Sequence, residues 1–351
     1  MKAAVLFEID QPLQLVEVAM PLPGIGQVAV RIEYSGLCRS QLMEIQGGRN
    51  NQKYIPHMLG HEGVGSVISI GEGVTKVVPG DRVVLGWIKG LGLDVGGANY
   101  KCGDIVVNSG AVTTLSEQTI VSENRLVKLP EGIPPKVAVL FGCALPTGAG
   151  IVFNQIKPLP GKNIAIFGLG GVGMSALIAA QCFSPARLFA VDVCAEKLAL
   201  AKELGATDTI DASVQDPVQL LLDQTNGGVD YSIESAGSTK TIEQAFSAVR
   251  DGGGECVFAS HPPDTEMIRL EPHAFHRGKK ISGSWGGSAN PDVDIPKLAE
   301  LFRKGQLPLE RLISKTYSLD KVNEAVDDLD EGKLVRAIID TKPDLGISDE
   351  F

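Results

Sequence analysis

Two groups of residues in this chain have the types and spacing to do chemistry. The first lies in the stretch Asn163 to Asp192, NIAIFGLGGVGMSALIAAQCFSPARLFAVD. A short apolar run, Ile164 to Phe167, has the length and type of a buried parallel strand. Gly168, Gly170 and Gly173 follow as G-x-G-x-x-G, then an apolar helical pattern from Met174 to Ala180, and a second β-like run, Leu188 to Val191, that ends in Asp192. In such a unit Gly168 permits the tight turn, Gly170 lets the backbone approach a pyrophosphate, and Gly173 lets the helix pack on the strand. The helix start offers free N–H groups and a positive dipole end to phosphates. Asp192, at a strand tip, is placed to accept hydrogen bonds from the hydroxyls of an adenosine ribose. The glycines alone are only a turn signal. Strand, glycines, helix, strand and acid in this order mark a dinucleotide site.

The second group is Cys38, His61 and Cys143, far apart in sequence but each at a point where an element ends. Cys38 lies in Gly36-Leu-Cys38-Arg39-Ser40 after a β-like run, His61 in Gly60-His61-Glu62-Gly63 between a loop and the next run, and Cys143 before Pro146-Thr147-Gly148. Two thiolates and an imidazole suit zinc, with a fourth position open to water or substrate. By spacing alone the alternative, cysteines buried for structural reasons, stays open.

The elements that must position these groups change texture along the chain. From Lys2 to about Val127 the sequence is β-rich: Ala3 to Phe7, Leu15 to Val18, Val28 to Glu33, Gly65 to Ile70 and Arg82 to Leu85 are short Val- and Ile-rich runs between turn signals such as Pro79-Gly80-Asp81. That spacing predicts an antiparallel, partly barrelled sheet. From about Pro134 a helical run leads into regular βα alternation: helices at Ala195 to Leu204, Val218 to Gln224 and Thr239 to Val249, between runs at Thr207 to Ile210, Val229 to Glu234 and Cys256 to Ser260. This is doubly wound α/β. Beyond Trp285, helices near Ile295 to Lys304 and Leu319 to Leu329 and a last strand, Val335 to Ile339, read as a return to the first domain.

Composition narrows the function classes. At 351 residues the chain has volume for two cores. A net charge of −10 argues against nucleic acid or an anionic membrane as partner, because a phosphate backbone needs a basic face. No apolar stretch reaches membrane-spanning length, and the apolar run in MKAAVLFEID is too short for a signal-peptide core, so a cytoplasmic location is expected. The six scattered cysteines then read as reduced thiols, and a shared role would be metal rather than disulfide.

The motifs, in order over nearly the whole chain, resemble those of the zinc-dependent alcohol dehydrogenases of the medium-chain dehydrogenase/reductase family. The resemblance runs from Met1 to about Asp340. It rests on the Cys38 segment, on Gly60-His61-Glu62-Gly63-Val64-Gly65, on Pro79-Gly80-Asp81-Arg82-Val83, on Gly142-Cys143 with Thr147-Gly148, on Gly168 to Gly173 with Asp192, and on Gly332-Lys333-Leu334-Val335-Arg336. It implies a β-rich GroES-like catalytic domain of residues 1–144 and 287–351 and a Rossmann domain, a doubly wound parallel sheet, of residues 145–286. It also implies a homodimer or homotetramer. One catalytic zinc would be held by Cys38, His61 and Cys143, acting as a Lewis acid that lowers the pKa of an alcohol hydroxyl, with hydride passing to a nicotinamide; carbonyl reduction is the reverse. By position, Ser40 matches the hydroxyl that touches the substrate oxygen and relays its proton, and Glu62 a carboxylate beside the metal. Arg39 and Arg336 match arginines on the pyrophosphate. Thr147 and Val172 match residues against the nicotinamide, and Lys197 a lysine near the adenosine ribose. Asp192 favours NAD over NADP, since a carboxylate repels a 2′-phosphate, and Arg187 precedes the strand, poorly placed to offset it. Substrates would be small alcohols, polyols or carbonyls. The competing expectations are a metal-free NADPH reductase of the same fold and a non-catalytic dinucleotide-binding protein.

The chain departs from the family pattern at three places. The stretch where many members hold a second, structural zinc with four cysteines reads GLGLDVGGANYKCGD from Gly90 to Asp104, with Cys102 alone. Four thiolates cannot be assembled there, so no structural zinc is expected and the lobe is expected to be a mobile glycine-rich loop. Gln41 stands where the family usually has Asp, and Met43 where some members end their proton relay in a histidine. His57, four residues before His61, is expected to be an ordinary loop histidine.

Overall fold

The structure is a computed structural model that describes residues 1–49, 52–263 and 265–342. The chain divides into two compact units: Met1–Gly142 with Lys315–Glu331 and Ala337–Phe351, and Cys143–Ser314 with Gly332–Arg336.

The second unit is built on a six-stranded, all-parallel sheet. Its order is Asp208–Asp211, Arg187–Asp192, Asn163–Phe167, Tyr231–Glu234, Glu255–Phe258, Lys280–Gly283. The strand that opens the glycine motif therefore lies in the middle, and the order reverses beside it, which is where a doubly wound sheet opens a crevice at its C-terminal ends. Being covered on both faces, the central strands are largely apolar: Ala165, Phe167, Phe189 and Val191 pack with Ile210, Leu221, Ala245, Phe246 and Cys256 in one cluster. Helices end at the expected signals. Asp216 accepts from the N–H of Val218 and Gln219 ahead of Pro217–Gln224, and Ser238 caps Thr239–Ser247. Segment 287–314 goes with this unit by contact, its helix Pro291–Arg303 packing on Ala144–Gly150.

The first unit is mostly antiparallel. A seven-stranded sheet includes the successive neighbours Leu126–Lys128, Arg82–Gly86, Glu62–Ile70, Gln27–Leu37 and Arg336–Asp340, with Gln118–Ser122 also on Gln27–Leu37. A second sheet has five strands, ordered Gln14–Glu17, Lys2–Leu6, His57–Met58, Ile105–Asn108 and Asn99–Cys102. Two register shifts along Gln27–Leu37, at Ala29/Val30 and Ile32/Tyr34, bend the first sheet, as bulges do. The core is aliphatic, with Tyr100 wholly buried and its hydroxyl accepting from the Ile120 N–H at 2.7 Å.

The lobe from Gly90 to Asp104, expected to be a loop, is in part a strand and is tied to its surroundings by hydrogen bonds. It closes in a hairpin, Asn99–Cys102 with Ile105–Asn108, in which Cys102 pairs Ile105. The buried carboxylate of Glu123 accepts from the N–H of Thr75 and Lys76 on one oxygen and of Leu93 on the other, at 2.7–2.9 Å. Ser122 Oγ accepts from Val95, and Lys89 pairs with Asp94 at 2.6 Å. Three N–H donors hold the Glu123 pKa down against the upward pull of burial.

Among the described residues no single helix is long and apolar enough to cross a membrane; the bent pair Pro135–Gly142 and Ala144–Ile156 has the length and composition, and most of its residues are buried in the fold.

Candidate functional site

Strand Gln27–Leu37 runs four residues further than the β-pattern at Val28 to Glu33, and Cys38 follows it in an extended conformation as N-cap of the helix Arg39–Ile45. Ser40 is thus on the first turn of a helix, not at a strand end. His61 stands directly before strand Glu62–Ile70, and Cys143 follows the 3-10 turn Val139–Gly142. The ligand atoms of Cys38, His61 and Cys143 all lie within 4.8 Å of one another. Ligands at zinc bond lengths in a tetrahedron stand about 3.3–3.8 Å apart, so the group fits such an ion after small adjustments. The donor set, two soft sulfurs and an imidazole, fits zinc chemically as well.

The surroundings of this cluster are polar and closely built. His61 Nδ1 lies 2.5 Å from Gln41 Nε2 and 3.5 Å from Ser40 Oγ. Gln41 Oε1 accepts from the Cys38 N–H at 3.0 Å. Glu62 is wholly buried, and its carboxyl lies against Gly36: a Cβ there would come within 2.6 Å of its Cδ and Oε1. Burial pulls the His61 pKa down, but hydrogen bonding and charge from Cys38, with further charge from Glu62 and Glu44, raise it overall. An electronegative pocket of this kind favours a cation. Arg39 is exposed on the same helix, and Met43 is half-buried on it. His57 is a strand residue, its Nδ1 2.9 Å from the Met58 carbonyl, where a loop histidine was expected.

In the second unit the glycine motif is built as its spacing predicts. Gly168 has φ +84° and sits against Ala236; Gly173 packs so closely that a Cβ would be 1.8 Å from the Gly168 oxygen. At Gly170, N-cap of the helix Gly171–Gln181, a Cβ would meet nothing within 4 Å, so the backbone is open to a ligand there. Arg336, buried in the same unit, lays its guanidinium over Gly171, where a Cβ would be 2.2 Å from Nη2. A positive charge at a helix N-terminus beside an accessible backbone suits a pyrophosphate. Val172 lies in the first turn, and its carbonyl abuts Gly148 next to Thr147. Thr147 Oγ1 is buried without a hydrogen-bond partner within the protein, as an atom kept for a ligand would be. Lys197 is half-buried on helix Ala195–Glu203.

Asp192 shows a second role that its position in the motif did not reveal. One carboxylate oxygen accepts from the Leu169 N–H at 2.6 Å, and the other from Val193 and Cys194 at 2.8 and 3.0 Å. It ties the glycine turn to the end of the next strand and still has lone pairs for a ribose. Arg187 is committed elsewhere, in a two-point pair with Asp208 at 2.5–2.9 Å and on the Phe189 ring.

Sequence reasoning passed over Gly36, Gly171 and Glu234. Glu234, at a strand end, gathers the N–H groups of Ala236 and Gly237 and the hydroxyls of Thr241 and Ser260. It shapes the wall against which Gly168 turns, and burial raises its pKa despite these donors. A strand-terminal acid followed by Ser-Ala-Gly was the available signal.

Comparison with known proteins agrees with this geometry. The alcohol dehydrogenase GroES-like domain matches residues 24–131 and the zinc-binding dehydrogenase family residues 171–304. Benzyl alcohol dehydrogenase from Acinetobacter calcoaceticus is 29% identical, over 97% of this chain and 99% of that one, with a TM-score of 0.86. An alcohol dehydrogenase zinc-binding domain protein from Burkholderia ambifaria is 28% identical over the same shares, with a TM-score of 0.89. An alcohol dehydrogenase from Thermus sp. ATN1 is 26% identical over the same shares, with a TM-score of 0.79. With both family domains in order and the fold matched end to end, the chain belongs to the zinc-type medium-chain alcohol dehydrogenases.

Proposed function

We propose that the protein is a zinc-dependent, NAD-linked dehydrogenase that oxidises a small alcohol or polyol to an aldehyde or ketone and runs the reverse reduction. The observation that carries the reading is the convergence of Cys38, His61 and Cys143 within ligand distance of one another. These three would hold the metal, which when bound supplies a Lewis acid that lowers the pKa of an alcohol hydroxyl. NAD supplies the hydride acceptor. Ser40 Oγ, half-buried beside His61, takes up the hydroxyl proton and passes it toward water, and Glu62 sets the negative field around the ligands. In the other unit Gly168, Gly170 and Gly173 admit the pyrophosphate and Arg336 pairs with it; by family resemblance Arg39 is assigned to phosphate as well. Thr147 and Val172 face the nicotinamide, and Asp192 and Lys197 the adenosine ribose. Asp192 supports NAD over NADP because its charge opposes a 2′-phosphate and Arg187 is spent on Asp208. The family resemblance supports a homo-oligomer in the cytoplasm.

The test is elemental analysis of the purified protein together with a panel of alcohols, polyols and sugar derivatives scored for NAD reduction. One zinc per chain, lost with activity in C143S, is the expected result. Full turnover with no metal overturns the zinc reading, and two zincs per chain overturn the expectation of no structural site.

A further inference from the structure

Gln41 touches both halves of the ligand set from the first unit. Its side chain, 1% exposed, offers Oε1 to the Cys38 backbone N–H and Nε2 to His61 Nδ1. An amide has one accepting end and one donating end. With Oε1 on the Cys38 N–H, the NH2 donates to Nδ1, so Nδ1 carries no proton and the neutral ring carries its proton on Nε2. Nδ1 being occupied by Gln41, Nε2 is the nitrogen available to a metal, and a ligating nitrogen must be bare. Turning the amide over reverses the conflict. Oε1 then accepts from Nδ1–H, but the NH2 faces the Cys38 N–H, donor against donor at a buried position. Neither arrangement serves a metal-bound ring and the Cys38 N–H together.

We propose that Gln41 is a positioning residue that holds His61 in the tautomer opposed to metal binding, so that this site takes zinc more weakly than the same three ligands would beside a carboxylate. The inference rests on the zinc reading above. To serve as a ligand through Nε2, the ring would have to give up the Nε2 proton and gain one at Nδ1, with no net proton change on the ring, at the loss of one of the two Gln41 hydrogen bonds. A glutamate of the same length accepts from both donors. Groups that orient a metal-bound histidine typically alter metal affinity by about 10–100-fold, and Q41E is expected to tighten zinc binding by that factor.

The test has two readouts. Imidazole ¹⁵N NMR of the zinc-free protein, at a pH about two units above the ordinary histidine range, is expected to show the Nε2-protonated tautomer of His61 in wild type and the Nδ1-protonated one in Q41E. Competition with a chromophoric chelator then gives the zinc affinity of each. A wild-type His61 already protonated on Nδ1 overturns the inference, as does a folded Q41E that binds zinc no tighter. If neither protein takes zinc, the zinc reading fails on its own, and the wild-type tautomer still decides what Gln41 does, with or without a folded variant.

Discussion

Gly170→Ala separates a ligand's need for open backbone from the fold's need for glycine. Gly170 has φ −75° and ψ −170°, an extended conformation open to any residue, and its added Cβ meets nothing within 4 Å. The substitution therefore introduces neither strain nor clash in the free protein; the gain of about 0.4–1 kcal/mol from restricting the unfolded chain is offset by alanine being a poorer N-cap than glycine. For a protein of this size Tm should then move by no more than about 2–4 °C. A dinucleotide sees the same methyl differently. It stands at the helix N-cap, where the pyrophosphate has to approach the N–H groups. Losing one charge-assisted hydrogen bond there costs about 1.5–3 kcal/mol, roughly 10- to 150-fold in Kd. Calorimetric titration with NAD and with NADP, beside a melting curve of each protein, checks both halves. Unchanged cofactor affinity would refute the placement of the pyrophosphate at Gly170, and a Tm lowered by several degrees would refute the account of its surroundings.

Gly171→Ala should act through Arg336: the methyl displaces only the flexible guanidinium end, so the protein should fold while NAD binding falls several-fold, and G171A with R336A should be clearly non-additive in a double-mutant cycle. Asp192→Ser should raise the ratio of NADP to NAD use, measured as kcat/KM, but with some loss of both, because Leu169, Val193 and Cys194 lose an acceptor. Glu123→Gln sets an NH2 against at least one of three buried N–H groups and should cost about 1–3 kcal/mol at neutral pH. Because the folded-state pKa of Glu123 is depressed, its stabilisation is fully present above the unfolded carboxylate range and fades as pH falls through the folded value. Melting curves of wild type and E123Q should therefore converge as pH falls below the ordinary carboxylate range, and a gap that does not narrow at all on acidification would contradict this.

The parts of the fold legible in the sequence were those where one residue type leaves little choice. Glycine spacing after an apolar strand placed Gly168, Gly170 and Gly173, and β-branched runs placed most strands of both units to within a few residues. Cys38, His61 and Cys143 illustrate the opposite case. Nothing in their spacing brings them together, because strand pairing and the turn at Val139–Gly142 do so through contacts distant in sequence; residue type and position suggested the grouping, and only the resemblance to a family made it specific. The helix Arg39–Ile45 was missed because it is short, follows directly on a strand and begins at a cysteine, which is no capping signal. The strand and the hydrogen bonds of the lobe were not legible because glycine content speaks for backbone freedom, whereas Glu123, Ser122 and Lys89 bond it from outside or at its edge.

A common physical device underlies several of these hidden features. A carboxylate has two oxygens that only accept, so it is the side chain best able to gather several N–H groups at one point. Glu123 gathers three and so joins the lobe to Thr75 and Lys76, Asp192 three and so joins the glycine turn to Val193 and Cys194, and Glu234 two, with two hydroxyls, for the wall beside Gly168. Asp230 does likewise with the Asn163 N–H, Lys162 and Arg250. In composition these acids are part of a net charge of −10 and look like solvated surface. In the fold they are joints. Against that practice Gln41 is anomalous, an amide set where the Cys38 N–H and the Nδ1–H of a metal-bound His61 would together present two donors. At these other points converging donors are answered with a carboxylate; on the proposed reading the mismatch at Gln41 stands beside the residues that would hold the metal, where relaxing it would change how tightly an ion is held rather than whether the unit folds.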